Sequence, residues 1–229
     1  MATNDKHYCF IPNRTEESAS GTKQKAAVLN GVRWDAGATV TVRFMEGDQD
    51  LRARVKAVAS EWMEHANVKL SFVNEGEADI RIAFKQGNGS WSYLGTDATS
   101  IPADQPTMNY GWLTPDSPED DVRRVVLHEF GHALGLIHDH QNPNGGIRWN
   151  RDAVIKDLSG PPNNWDPETI ENNIFKTYDA KAVTASDADR TSIMMYPIPQ
   201  AWTLDEFSAE LNNELSVLDK EIIGKAYPR

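Results

Sequence analysis

The chain has 229 residues, with 23 Lys and Arg against 34 Asp and Glu, for a formal charge of −11. That balance repels phosphate backbones and anionic membrane surfaces, which argues against nucleic acid or membrane as a partner. At this length a 39% hydrophobic share suffices for a core, and the single cysteine, Cys9, rules out an internal disulfide and a cysteine-only metal site.

In chain order, residues 1–25 read as a polar arm or pro-like segment, and an ordered body is expected over 26–229. Thr39–Phe44 alternates and is rich in β-branched residues, which predicts a strand. Leu51, Val55, Val58 and Trp62 recur at helical spacing, predicting one helix from Asp50 to His65. Val68–Val73 and Ala78–Phe84 read as two further strands, and the strand–helix–strand order points to parallel pairing through a crossover. A Gly-rich loop at 86–90 leads into Trp91-Ser92-Tyr93-Leu94, and Thr107–Tyr110 reads as a fifth short strand. Ser117-Pro118-Glu119-Asp120 carries helix-start signals: a capping serine, a proline and first-turn acids. Beyond residue 140 the texture becomes irregular and rich in Pro, Gly, Asn and Trp. Short helices are predicted over 151–158 and 167–175, the second capped by Asp166, with a last helix over 218–227 after Ser216. No apolar run approaches the roughly 20 residues of a membrane span, and the first twenty residues show no apolar core of a secretory signal.

The informative stretch is His128-Glu129-Phe130-Gly131-His132-Ala133-Leu134-Gly135-Leu136-Ile137-His138. On a helix, positions i and i+4 share one face, so His128 and His132 can address one ion. Neutral imidazole is a good zinc ligand. Glu129 lies roughly 100° round the helix, placed to reach a water rather than the metal. Gly135 allows the backbone to leave the helix with positive φ and bring His138 back as a third ligand. Three nitrogens leave an open position, as in catalytic zinc sites.

Downstream, Ser192-Ile193-Met194-Met195-Tyr196 read alone is a buried apolar strand. Placed after the zinc helix it resembles the Met-turn of the metzincin metallopeptidases, in the astacin form. Asn74–Ile80 is similar to a matrixin strand entry, and Leu215-Ser216 with Asp219 and Tyr227-Pro228 is similar to the last helix of both groups. The resemblance implies an α/β (α+β) metzincin-like fold. Its twisted five-stranded, mostly parallel sheet and two long helices would form an upper subdomain (26–138). An irregular lower subdomain (139–229) would hold the Met-turn and C-terminal helix. It implies one catalytic Zn2+ on His128, His132 and His138, with Met194 (or else Met195) beneath them and Tyr196 steadying the reacting carbonyl. The activity implied is hydrolysis of peptide bonds in extended protein or peptide segments, with a zinc-activated water and Glu129 as general base. Substrate would pair along an edge strand at Trp91, Ser92, Tyr93 and Leu94. Structural calcium stays open, although no acidic loop has a recognisable spacing for it, and a monomer is expected. The family resemblance implies secretion; without a signal peptide, cytoplasmic placement or non-classical export stays open.

The sequence departs from the astacin pattern at Asp139, where Glu is usual, and in lacking the usual disulfides. Cys9-Phe10-Ile11-Pro12-Asn13 is similar to the matrixin pro-segment switch C-G-x-P-D, with Phe10 in place of glycine. Two readings of Cys9 stand: a thiolate that occupies the open zinc position, or an incidental cysteine. The rival to a peptidase is a latent or non-catalytic zinc-bearing binding protein, against which Glu129 argues, since ligation alone does not require it.

Overall fold

The computed structural model describes residues 8–12, 28, 31–143, 146–178 and 189–229. Apart from 8–12, the N-terminal arm lies outside the described residues, as does Asn13 of the Cys9 motif.

Five strands form one sheet: β1 (Thr39–Phe44), β2 (Lys69–Val73), β3 (Ile80–Ala83), β4 (Ser90–Ser92) and β5 (Met108–Tyr110). Their order is β2-β1-β3-β5-β4. β1 pairs in parallel with β2 and β3, and β3 with β5. β4 alone runs antiparallel, against β5, which leaves its other side as a sheet edge. The mostly parallel five-stranded sheet is therefore as expected. The edge strand is shorter than Trp91–Leu94: it covers Ser90–Ser92, and Tyr93 and Leu94 follow it.

Two helices lie against the sheet, α1 (Gln49–Ala59) and α3 (Glu119–Ala133). Val40 and Val42 of β1, Ile80 and Ile82 of β3, Val55 of α1 and Phe130 of α3 meet in one buried cluster. The helix expected to run from Asp50 to His65 is broken, because a second short helix, α2 (Trp62–His65), starts after Ser60. The Ser60 hydroxyl donates to the Lys56 carbonyl at 2.7 Å, a local bond that competes with continuation of the helix. Trp62 still reaches the core, and its indole N–H donates to the Leu127 carbonyl at 3.1 Å.

The start of α3 also differs from expectation. Pro118, not Ser117, is the cap residue, and the Ser117 hydroxyl accepts from the Thr114 amide at 2.9 Å within the preceding turn. First-turn acids Glu119, Asp120 and Asp121 favour the positive end of the helix dipole. Beyond the zinc-helix region, α4 (Arg151–Leu158) and α5 (Pro167–Ile170) contribute to a second buried cluster with Ile174, Ile198 and Trp202. The expected 167–175 helix is regular only to Ile170 and then widens into a π-type turn at Glu171–Phe175. The last helix, α6 (Val217–Ala226), begins with a reciprocal capping box between Ser216 and Asp219. Among the described residues no helix is long and apolar enough to cross a membrane.

Candidate metal centre

Helix α3 carries His128, Glu129 and His132, all buried. It ends in a Schellman turn. The Gly135 amide donates to the His132 carbonyl at 2.8 Å and the Leu136 amide to the Gly131 carbonyl at 2.9 Å. Gly135 takes φ +87°, a conformation that favours glycine. The chain thereby reverses and delivers His138 beside the helix, fully buried. The Nε2 atoms of His132 and His138 lie 3.1 Å apart.

The other ring nitrogen of each histidine faces an oxygen. His128 Nδ1 meets the Ile193 carbonyl at 2.7 Å, His132 Nδ1 the Leu136 carbonyl at 2.8 Å and His138 Nδ1 the Gln141 Oε1 at 3.3 Å. A carbonyl can only accept, so each Nδ1 carries the hydrogen and each Nε2 turns its lone pair to the centre. Burial drives all three imidazoles towards the neutral form, His128 down to about 4 and the others well below their ordinary value.

Cys9 completes the group. Its Sγ stands 2.9 Å from His128 Nε2, 3.0 Å from His138 Nε2 and 3.7 Å from His132 Nε2. The four donor atoms lie within 4.8 Å of one another. Tetrahedral bonds of about 2.0–2.1 Å to one zinc would set ligand nitrogens roughly 3.3 Å apart, so the donor set fits that ion. Facing lone pairs repel one another without a cation between them. Burial, and after it the Glu129 carboxylate, push the Cys9 thiol well above its ordinary value. A divalent cation opposes both effects and favours the thiolate.

Glu129 is 1% exposed, and among the described residues neither carboxylate oxygen has a hydrogen-bond partner. Burial raises its affinity for a proton. Tyr196 is also buried; its hydroxyl donates to the Cys9 carbonyl and lies 3.7 Å from Cys9 Sγ. Its ring centre is 4.2 Å from that of His138.

Met194 packs against the helix that carries the histidines: a Cβ on Gly131, one position before His132, would stand 2.3 Å from Met194 Sδ. Met195 joins the other hydrophobic cluster. The turn is held from below by Asp219, which accepts from the Ser192 hydroxyl at 2.7 Å, the Ile193 amide at 2.8 Å and the Ser216 amide at 2.9 Å. From above, the Met194 carbonyl accepts from the Asp139 amide at 3.0 Å. The Asp139 carboxyl is buried against the Asp189 amide at 2.6 Å, and burial pushes it up to about 7.

Sequence reasoning missed Gln141, which orients His138 while its amide donates to the Asn172 and Lys176 carbonyls. It also missed the link from Ser192 to Asp219. The Ser192–Asp219 link carries no local signal because its partners are distant in sequence, and Gln141, though three residues from His138, is oriented by the distant Asn172 and Lys176 carbonyls. Trp91 of β4 makes a parallel bridge with Phe10, so the described part of the arm runs along the sheet edge.

A family model for Astacin, a peptidase family, matches residues 29–222. Stromelysin-3 from Mus musculus is 29% identical over 155 residues, which covers 57% of this chain and 30% of that protein. This chain thus spans under a third of the length of that curated relative. The solved structure of myroilysin is 42% identical, covers 89% of this chain and 99% of its own, and superposes with a TM-score of 0.87. High choriolytic enzyme 1, a hatching enzyme zinc-protease from Oryzias latipes, shares the fold at 15% identity and a TM-score of 0.58, over 89% of this chain and 98% of its own.

Proposed function

This chain belongs to the Astacin family of zinc metallopeptidases, and on that premise we propose that it cleaves peptide bonds within extended protein segments at the His128–His132–His138 centre. The observation that carries this reading is the buried Glu129 carboxylate, unpartnered among the described residues and one residue from a ligand-competent histidine. A structural zinc site has no use for such a group, and burying it without a partner costs stability.

His128, His132 and His138 would hold the zinc, which when bound supplies a Lewis acid and draws the pKa of a water down to about 7. Glu129 takes a proton at its carboxylate and delivers it to the leaving amine, a role suited to a carboxyl whose proton affinity is raised by burial. The Tyr196 hydroxyl donates to the oxygen of the reacting carbonyl, as it donates here to the carbonyl of Cys9. Substrate adds as a strand along the free edge of β4, where Phe10 now bridges to Trp91.

A second element of the reading concerns Cys9. Its Sγ would take the fourth ligand position and residues 8–12 would block the cleft, keeping the enzyme latent until the arm leaves; the approach of Sγ to His128 Nε2 at 2.9 Å and His138 Nε2 at 3.0 Å supports this. Polar contacts hold the arm as well: the Tyr8 and Ile11 amides donate to Asn163 Oδ1 at 3.3 Å and Asn173 Oδ1 at 3.1 Å.

The test is cleavage of a quenched peptide library by full-length, zinc-loaded protein beside Glu129→Ala and Cys9→Ala. Cys9→Ala should cleave at least tenfold faster than wild type, and Glu129→Ala combined with it should fall by about 10²–10⁴. Equal rates with and without Cys9 would remove the latency element. Equal rates with and without Glu129 would remove the mechanism.

A further inference from the structure

Tyr8 precedes the residue whose sulfur marks the metal position, and its side chain is only 4% exposed. The ring stacks on Trp202, with centroids 5.2 Å apart and planes at 27°. Tyr196 meets it edge-on at 5.2 Å and Trp165 at 6.4 Å. At the far end the Tyr8 hydroxyl donates to the Pro197 carbonyl at 3.1 Å. The socket thus has aromatic walls and one acceptor at its floor.

Two of its walls, Trp202 and Trp165, are fixed by contacts that do not involve the arm, whereas the Tyr196 hydroxyl donates to the Cys9 carbonyl. Trp202 Nε1 donates to Asp157 Oδ2 at 2.7 Å, and the Trp202 carbonyl accepts from the Asn150 amide at 2.8 Å. The Trp165 amide donates to the Leu158 carbonyl at 2.9 Å. Walls held this way keep their shape when the occupant leaves. An extended chain advances about 3.3–3.6 Å per residue, so a side chain in this socket belongs to the neighbour of the residue at the metal.

We infer that the Tyr8 socket is the main specificity pocket of the enzyme, and that it selects substrates with tyrosine, and next phenylalanine, beside the scissile bond. The inference rests on the peptidase reading of the histidine centre and names its substrate class. Three rings favour an aromatic guest over an aliphatic one. The Pro197 carbonyl adds a preference for the hydroxyl of about fivefold, the worth of one ordinary hydrogen bond. The Asp157 carboxylate, bonded to the Trp202 indole at 2.7 Å, places negative charge behind that wall of the pocket and discriminates against acidic guests.

Two experiments on the full chain test it. In the first, zinc-loaded Tyr8→Ala/Cys9→Ala protein is given peptides that differ at one residue, and mass spectrometry locates each cut. Tyr and Phe next to the cut should exceed Ala and Asp at least tenfold in kcat/KM, and adding Trp165→Ala should remove most of that difference. In the second, the same double variant carrying Glu129→Gln is titrated with a short capped tyrosine peptide and its alanine counterpart, followed by calorimetry. Saturable binding of the tyrosine peptide alone, weakened by Trp165→Ala, is expected. Cleavage without aromatic preference, or preference for Leu, Arg or Lys, overturns the inference while leaving the peptidase reading intact. Tyrosine binding with no cleavage of any peptide sustains the socket and sinks the peptidase reading. Absence of both overturns both.

Discussion

Replacing Gly131 by alanine should damage metal binding far more than folding. A Cβ there would lie 2.3 Å from Met194 Sδ and 3.2 Å from its Cε. Carbon and sulfur need about 3.5–4 Å, so the methionine must retreat by more than roughly 1 Å. Met194 is 1% exposed, so any retreat presses on packed neighbours. Overpacking of this kind costs about 1–3 kcal/mol, offset by about 0.8–1.0 kcal/mol of helix propensity gained over glycine. The net loss is thus about 0–2 kcal/mol, or a few degrees in Tm for a chain of this size. The retreat, however, carries the adjacent Ile193 carbonyl, which fixes the tautomer and angle of His128 at 2.7 Å. Disturbing such a partner typically costs about 10–100-fold in metal affinity. Zinc competition against a chromophoric chelator, with Tm on zinc-free protein, separates the two effects. Adding Met194→Ala should restore part of the affinity, because the clash then has no partner. Zinc affinity within twofold of wild type in Gly131→Ala alone would refute the reasoning.

In zinc-free protein each buried histidine should contribute stability that is lost on acidification between pH 6.5 and 4. Burial depresses His128 and His140 from 6.5 to about 4. Over that window the unfolded chain binds more protons at these groups than the folded one, so the stability they contribute is present above pH 6.5 and lost as pH falls towards 4. The slope should reach about 1.4 kcal/mol per pH unit for each histidine. The raised carboxyls of Asp139 and Glu129 act with the opposite sign over the same window, so the histidine share is read from urea unfolding of His140→Asn beside wild type at several pH values; the same pH profile in both would contradict the burial of a neutral His140. Asp219→Ala should cost about 2–4 kcal/mol, since it leaves the Ser192 hydroxyl and the Ile193 amide unpaired and breaks the cap of α6. Chemical denaturation reads this directly, and a loss below about 0.5 kcal/mol would show that the Met-turn is held by other means.

What could be read from the sequence is what the backbone enforces locally. His128 and His132 share a face because of the helical repeat alone, and Gly135 announces the turn that returns His138 because only a residue tolerant of φ +87° closes it without strain. The strands at Thr39–Phe44 and Lys69–Val73 were legible for the same reason, through their period of two. The break at Ser60 was not legible, since a serine hydroxyl bonding back to Lys56 leaves no trace in hydrophobic periodicity. Ser117 carried a capping signal but uses its hydroxyl on Thr114 in the turn before.

The ligand set and its chemistry are encoded at different ranges. The eleven-residue motif supplies three imidazoles, but it does not say which nitrogen of each bears the proton. For His132 that choice is local, made by the Leu136 carbonyl of the same turn. For His128 it is made by Ile193, far along the chain, and for His138 by Gln141, which is itself clamped by the carbonyls of Asn172 and Lys176. Ile193 is fixed in turn by Asp219 of α6. A ligand triad read from sequence is therefore a statement about atoms available. Their lone pairs meet at one point only because the Met-turn, the C-terminal helix and the 172–176 segment fold against α3. Cys9 belongs to that second kind of information too: its motif named the atom, and only the seating of residues 8–12 in the cleft brought it within 3.0 Å of His128 and His138.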